Sequence, residues 1–145
     1  MFKVLFLCTE NACRSQMAEG LVNHYLAGEV RAYSAGVRPK EVHPMAIEVM
    51  AELGIDISHH RSKSVDELAG EQFDLVITVC DQAREQCPFF PADTEVMHVS
   101  FPDPARSSGS ARIFRKLRDA LRDQLIPLVR EKLKQRQQEG KKGQV

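Results

Sequence analysis

The order of three short stretches at the N-terminus limits the fold more than any other feature of the chain. Phe2 to Leu7 is an apolar run suited to a buried strand. Cys8 to Arg14 is a loop with five residues between cysteine and arginine. Ser15 to Leu26 carries Met17, Ala18, Leu21, Val22, Tyr25 and Leu26 at helical spacing. A strand that turns through a tight loop directly into a helix leaves the first helical N–H groups unpaired, and the helix dipole adds partial positive charge at the same point. Such a junction binds anions. The sequence therefore predicts an oxyanion loop built from Thr9, Glu10, Asn11, Ala12, Cys13 and Arg14, with the Cys8 sulfur at its base.

The chemistry follows from that placement. A thiol at a helix N-terminus beside an arginine can fall well below its ordinary pKa of about 8.5, so Cys8 is expected to stand as a thiolate nucleophile. Arg14, with its planar fork of donors, suits two oxygens of a tetrahedral oxyanion. Ser15 can donate to the sulfur. A free cysteine at a strand end is more often a small buried residue, but strand, cysteine, loop, arginine, serine and helix occur here in the order a nucleophile needs. Glu10 puts a carboxylate into the loop, which weakens anion affinity unless it points to solvent.

Further along, Val30 to Gly36 reads as a second strand ending in a glycine turn, giving a strand–helix–strand unit and hence a parallel pair. Pro44 opens a second helix that ends at Gly54, and Val65 to Ala69 forms one short turn. His59 and His60, adjacent in a polar loop, read as solvated surface. Phe73 to Val79 is a β-branched apolar run expected of a central strand, and it ends at Cys80. Ligands of an open parallel sheet lie beyond the carboxyl ends of its strands, so Cys8 and Cys80 are predicted to share one rim. The charged segment Asp81 to Gln86 leads to Cys87. A fourth strand, Glu95 to Val99, lies at the sheet edge. Asp103, between two prolines, reads as a turn residue or as an acid that protonates a leaving oxygen. Ala111 to Leu133 is a long amphipathic helix with a weak point at Pro127. The expected fold is α/β, a doubly wound four-stranded parallel sheet with helices on both faces, in one catalytic domain over 1–134 followed by a disordered tail over 135–145.

Composition narrows the partners. Among 145 residues the 20 basic and 20 acidic side chains balance, which gives no global pull toward nucleic acid or membrane. No leader or spanning run is evident, so a cytoplasmic monomer is expected. Four cysteines in such a chain point to catalysis, redox exchange or metal binding rather than a disulfide frame. Cys8 and Cys13 have four residues between them and Cys80 and Cys87 six; neither is a close-set zinc pair, and the five histidines complete no set, so no metal is expected.

The loop Cys8 to Arg14 resembles that of the low-molecular-weight protein tyrosine phosphatases. The longer string from Cys8 to Gly20 looks more like their relatives, the thioredoxin-coupled arsenate reductases, and the similarity runs to about Arg130. This resemblance implies a phosphatase-like fold and no bound cofactor. It implies arsenate or a phosphate-like oxyanion as ligand, and thioredoxin or a similar dithiol as external reductant. It also implies catalytic roles for Cys8, Arg14, Ser15, Cys80, Cys87 and Asp103. In the relay it implies, Cys8 binds arsenate, Cys80 attacks Cys8, and Cys87 attacks Cys80. Cys13 is left a packing role. Asn11, Glu19 and Ser34 match potassium ligands of those relatives, but Lys63 stands where they carry an aspartate, so its ammonium is expected to replace the ion and the others to brace the loop. The alternative is a phosphatase. Against it, Ala105 follows the Asp103-Pro104 pair where phosphatases have an aromatic, and Tyr25 and Tyr33 sit in regular elements. A non-catalytic oxyanion or arsenical sensor is a third reading.

Overall fold

In the computed structural model, residues 1–104 and 109–142 are described, with side chains through 139. Ala105 and residues 143–145 lie outside them. The strands are β1 (Phe2–Cys8), β2 (Val30–Gly36), β3 (Leu75–Thr78) and β4 (Glu95–His98). The helices are α1 (Arg14–Tyr25), α2 (Pro44–Ala51), α3 (Asp81–Glu85) and α4 (Ala111–Lys142), with a 3-10 turn at Val65–Leu68. The sheet is parallel throughout, in the order β2-β1-β3-β4, the doubly wound α/β arrangement expected.

β1 is central because it is apolar on both faces: Val4, Leu5, Phe6 and Leu7 have no solvent exposure. It pairs with β2 through Leu7 opposite Ala35 and with β3 through Leu7 opposite Thr78. From β1 the chain adds β2 on one side, and from β3 it adds β4 on the other. The loops after β1 and β3 therefore diverge, and a crevice opens between their carboxyl ends. α1 packs on β1 and β2 and against α4, while α2 packs against α1 and α4. Tyr25, counted among the apolar positions of α1, is exposed at its last turn.

α4 differs from expectation. It runs through Pro127, and where composition predicts disorder from Gln135 it stays helical to Lys142. Lysine, arginine, glutamine and glutamate extend an existing helix at little cost, because the expensive nucleus is already formed. Side-chain anchors help: Lys132 Nζ lies 2.6 Å from Glu95 Oε2 and Arg136 Nη2 3.1 Å from Asp74 Oδ1. Among the described residues no helix is long and apolar enough to cross a membrane.

Candidate active site

The loop after β1 has its carbonyl groups turned outward. The N–H groups of Val37, Arg38, Lys40 and His43 donate to the carbonyls of Cys8, Thr9, Glu10 and Ala12 at 3.3, 2.8, 2.8 and 2.9 Å. Ser62 Oγ donates to the Asn11 carbonyl at 2.7 Å. With five successive carbonyls engaged outside, the loop N–H groups are left for its interior, and Asn11, at φ 53°, makes the left-handed turn this needs. The Asn11 N–H reaches the Cys8 sulfur at 3.2 Å. Gly36 permits the close approach: a Cβ there would lie 2.8 Å from the Asn11 nitrogen and 2.9 Å from the Thr9 oxygen. From sequence Gly36 reads only as a strand-ending turn; its role depends on standing opposite Cys8 in the β1–β2 register.

A chain of side chains behind the loop fixes the direction of the bond to sulfur. Gln16 Nε2 donates to Asn11 Oδ1 at 2.9 Å, so Asn11 Nδ2 donates to Ser15 Oγ at 2.7 Å. The Ser15 hydroxyl proton is thereby left for Cys8 Sγ at 2.8 Å. His60 corrects its reading as solvated surface: its Nδ1 lies 2.9 Å from Gln16 Oε1 and 3.2 Å from Glu19 Oε2. Burial lowers the pKa of this ring, favouring the neutral form whose Nδ1–H serves both oxygens. Glu19 also accepts from Ser34 Oγ at 2.8 Å and has Lys63 Nζ 3.8 Å away, so the expected brace is present, with a lysine as its cation.

Cys8 itself is 2% exposed, and burial pushes its thiol up from the ordinary value. Hydrogen bonds from Ser15 and Asn11 and the charge of Arg14 pull the other way without winning. The expectation of a standing thiolate counted these lowering influences and missed desolvation, which sequence does not reveal. Cys13, buried in the same loop, is pushed to about 12, mainly by burial with Asp103 next, as suits a packing residue.

Asp103 stands beside Arg14 and shares a small cleft with Cys8. Arg14 Nη1 donates to the Phe101 carbonyl at 3.1 Å and Arg14 Nη2 lies 3.8 Å from Asp103 Oδ2, tying the acid-bearing loop to the oxyanion loop. Above them opens a cleft of about 560 Å³ lined by Thr9, Glu10, Arg14, Arg38, Lys40, Gln82 and Asp103, with no aromatic side chain among them. Glu10 faces this cleft, where Lys40 Nζ pairs with it at 3.4 Å. Arg38 and Lys40 escaped sequence reading because they lie in an irregular segment, brought to the loop by its backbone bonds.

Cys80 shares the rim, as predicted. An adjoining cleft of about 230 Å³ has Thr9, Arg14, Cys80 and Asp103 in its walls. Thr9 Oγ1 is 3.2 Å from Cys80 Sγ, and the Ala83 N–H reaches the same sulfur at 3.4 Å. Cys87 lies beyond α3, half-buried, its thiol raised by burial and donating to the Pro88 carbonyl at 3.5 Å. All four cysteines are free.

This constellation has known counterparts. Residues 3–139 match the family described as low molecular weight phosphotyrosine protein phosphatase. The chain belongs to that family. Among curated relatives, an arsenate reductase of Halalkalibacterium halodurans is 43% identical over 122 residues, covering 81% of this chain and 88% of the relative. One of Bacillus subtilis is 40% identical over 126 residues, covering 84% and 91%. Among solved structures, an arsenate reductase in the oxidized state superposes with a TM-score of 0.80 at 31% identity, covering 91% of this chain and 99% of that one. A low molecular weight protein tyrosine phosphatase from T. tengcongensis superposes at 0.76 with 29% identity, covering 90% and 99%.

In this family member the loop residues Thr9 and Glu10, Arg14 and Asp103 thus line one cleft. What separates one use of that machinery from another is the mouth of the cleft and the thiols beside it. Neither tyrosine lines the cleft: Tyr33 packs edge-on against Phe73 at 5.4 Å, and Tyr25 against His24 at 4.9 Å.

Proposed function

We propose that the protein is an arsenate reductase that works through three cysteines and is recharged by thioredoxin or a similar dithiol protein in the cytoplasm. The observation that carries this reading is the second thiol: Cys80 Sγ is bonded to Thr9, a residue of the oxyanion loop itself. The names of the curated relatives and a polar cleft with no aromatic side chain among its described lining residues support it further.

In the first step the Cys8 sulfur attacks arsenic while the loop N–H groups and Arg14 hold the oxyanion. Dihydrogen arsenate and the thiol give a thioarsenate ester and water. Asp103 hands a proton to the departing oxygen, and the thiol proton replaces it. In the second step the Cys80 thiolate attacks Cys8 Sγ. The S–As bonding pair stays with arsenic, arsenate becomes arsenite, and a Cys8–Cys80 disulfide forms. In the third, Cys87 attacks Cys80 and Cys8 leaves as a thiolate. The resulting Cys80–Cys87 disulfide is then reduced by the external dithiol. The relay uses no metal. The potassium set suggested by resemblance does not fit a second cation, because Lys63 stands beside Glu19 and Asn11 Oδ1 already accepts from Gln16 Nε2 and the Lys63 N–H at 3.0 Å.

Arsenate-dependent NADPH consumption with thioredoxin and thioredoxin reductase tests the relay. The wild type is expected to turn over, with Cys80→Ser and Cys87→Ser stopping after at most one equivalent. Hydrolysis of a phosphotyrosine analogue equally by all three proteins, without arsenate turnover, would replace this reading with phosphatase activity, which the same loop and acid could perform.

A further inference from the structure

Resting on that relay, opposite demands fall on Cys80. It must first stay aimed at Cys8 and then turn to Cys87. Cys80 caps the N-terminus of α3 and Cys87 follows its C-cap, Gln86. Seven residue steps at helical rise would span about 10 Å, whereas a disulfide needs Cα atoms about 4.4–6.8 Å apart, so the turn of helix between the two thiols has to open for the last exchange. With only the five residues Asp81–Glu85, α3 is too short to hold itself. Its stability comes from buried Ala83 and from two side-chain tethers on its first turn. His98 of β4 has Nε2 3.1 Å from Asp81 Oδ1, while its Nδ1 lies 2.8 Å from Thr78 Oγ1. The Thr78 hydroxyl that meets Nδ1 also lies 3.3 Å from the Met97 carbonyl, so the ring is held from two sides with its Nε2 turned to the Asp81 carboxylate. Gln82 Oε1 accepts from the Thr9 hydroxyl at 3.1 Å, the same hydroxyl that touches Cys80.

We propose that His98 and Gln82 are positioning residues that latch α3, keeping Cys80 at the oxyanion loop and out of reach of Cys87 until the Cys8–Cys80 disulfide forms. Forming that disulfide draws the Cys80 sulfur off the Ala83 N–H and the Thr9 hydroxyl, which loosens the first turn. Cys87 thiolate then attacks Cys80 Sγ, one S–S bond replacing another with Cys8 thiolate as leaving group, and no net electrons are needed.

The test isolates the latch from arsenate. In a Cys8→Ser protein, oxidised glutathione closes the Cys80–Cys87 pair: one thiolate expels a glutathione thiolate, and the second expels the other. Cys13, held to about 12, stays out of the exchange. Losing one tether is expected to speed closure about fivefold, the effect of one net hydrogen bond on the opening equilibrium. His98→Ala, Asp81→Ala and Gln82→Ala should each show it, whereas Asp81→Asn, which keeps an acceptor for the Nε2–H, should close at the parent rate. Amide exchange at Arg84 and Gln86 should rise in the fast variants while that of Val76 and Ile77 in β3 stays constant. Unchanged closure in both His98→Ala and Gln82→Ala would overturn the latch, as would exchange rising equally in β3, which marks general loosening. Because Cys8 is absent, these outcomes stand whether or not the NADPH assay upholds arsenate reduction.

Discussion

The two thiol-bearing loops at the carboxyl ends of β1 and β3 are built in opposite ways. The loop after β1 is tied along its length: its carbonyls engage the 37–43 segment and Ser62, and the Asn11 side chain engages Ser15 and Gln16 of α1 and the Lys63 N–H. The segment after β3 is a five-residue helix with two tethers at one end and the half-buried Cys87 at the other. The difference follows from the work proposed for each. Stabilising a tetrahedral oxyanion rewards donors that need no reorganisation during reaction. Carrying a disulfide from a buried sulfur to the surface requires a piece of chain of low local stability. Apart from the Thr9 hydroxyl, which touches both Gln82 and Cys80, substitutions in one region should therefore leave the other's step intact.

Gly36→Ala should separate them most widely. Its methyl would press on the Asn11 nitrogen and the Thr9 oxygen, both backbone, so the loop must shift. Misplaced oxyanion donors cost about 10²-fold in kcat. Single-turnover arsenite release should fall by at least that factor, while glutathione-driven Cys80–Cys87 closure in the Cys8→Ser background should not slow, and should quicken by no more than the about fivefold expected if the shifted Thr9 lets go of Gln82. Equal losses in both would abolish the distinction. Ser15→Ala should act more mildly, by roughly tenfold at neutral pH, within the range for a lost hydrogen bond to a charged group. Ser15 pulls the Cys8 thiol down, so its removal moves that pKa further up. The deficit should be largest at low pH and shrink as pH rises toward the new value, displacing the acid limb of the rate profile to higher pH with α3 exchange unaltered.

The two regions were also unequally legible. The apolar run of β1, the helical spacing of α1 and the cysteine–arginine loop are local patterns, and each sits where they predict. So do Asp103 and Cys80, because their positions follow from topology: both stand just past the carboxyl ends of strands on one rim. Desolvation of Cys8 was not legible, since it depends on what covers the sulfur. Nor were Gly36, Arg38, Lys40 and His60, whose roles come from register and from loop segments meeting in space. The helical end of α4 escaped because a polar composition looks the same in a disordered tail and in an exposed helix that continues a docked one.

Lys40 offers a smaller test confined to the loop's affinity. It stands beside Glu10 at the mouth of the cleft, both well exposed, so the pair acts on arriving anions through a screened field. Lys40→Ala should raise KM for arsenate about threefold at low ionic strength, a modest share of the range known for electrostatic steering, with kcat unchanged. Glu10→Gln should lower it, and both effects should fade in about 1 M salt, where the Debye length is about 3 Å. A change in kcat, or persistence at high salt, would mean that Lys40 shapes the loop rather than its field.

The smallest effect on activity belongs to a third place, and it guards the comparison. Glu52, after α2, receives bidentate bonds from Arg115 at 2.8–3.0 Å and one from Arg118 Nη1 at 2.8 Å, and Arg118 Nη1 also donates to the Val49 carbonyl. The two arginines hold the Glu52 carboxyl down at about 2, against an ordinary value of 4.5. A depressed carboxyl adds stability that is fully present above the unfolded value and is lost as pH falls through the folded one. Glu52→Gln should therefore lower Tm by a few degrees at neutral pH, a shift of the size expected for one modest ion-pair network in a chain of this length. The gap to wild type should close between about pH 4.5 and about 2. Arsenite release and α3 exchange should both match wild type at temperatures below the transition. A protein weakened there yet normal in both steps shows that the losses from Gly36→Ala and Ser15→Ala come from the loop, not from a less stable fold; a parallel loss in Glu52→Gln would assign them to stability instead.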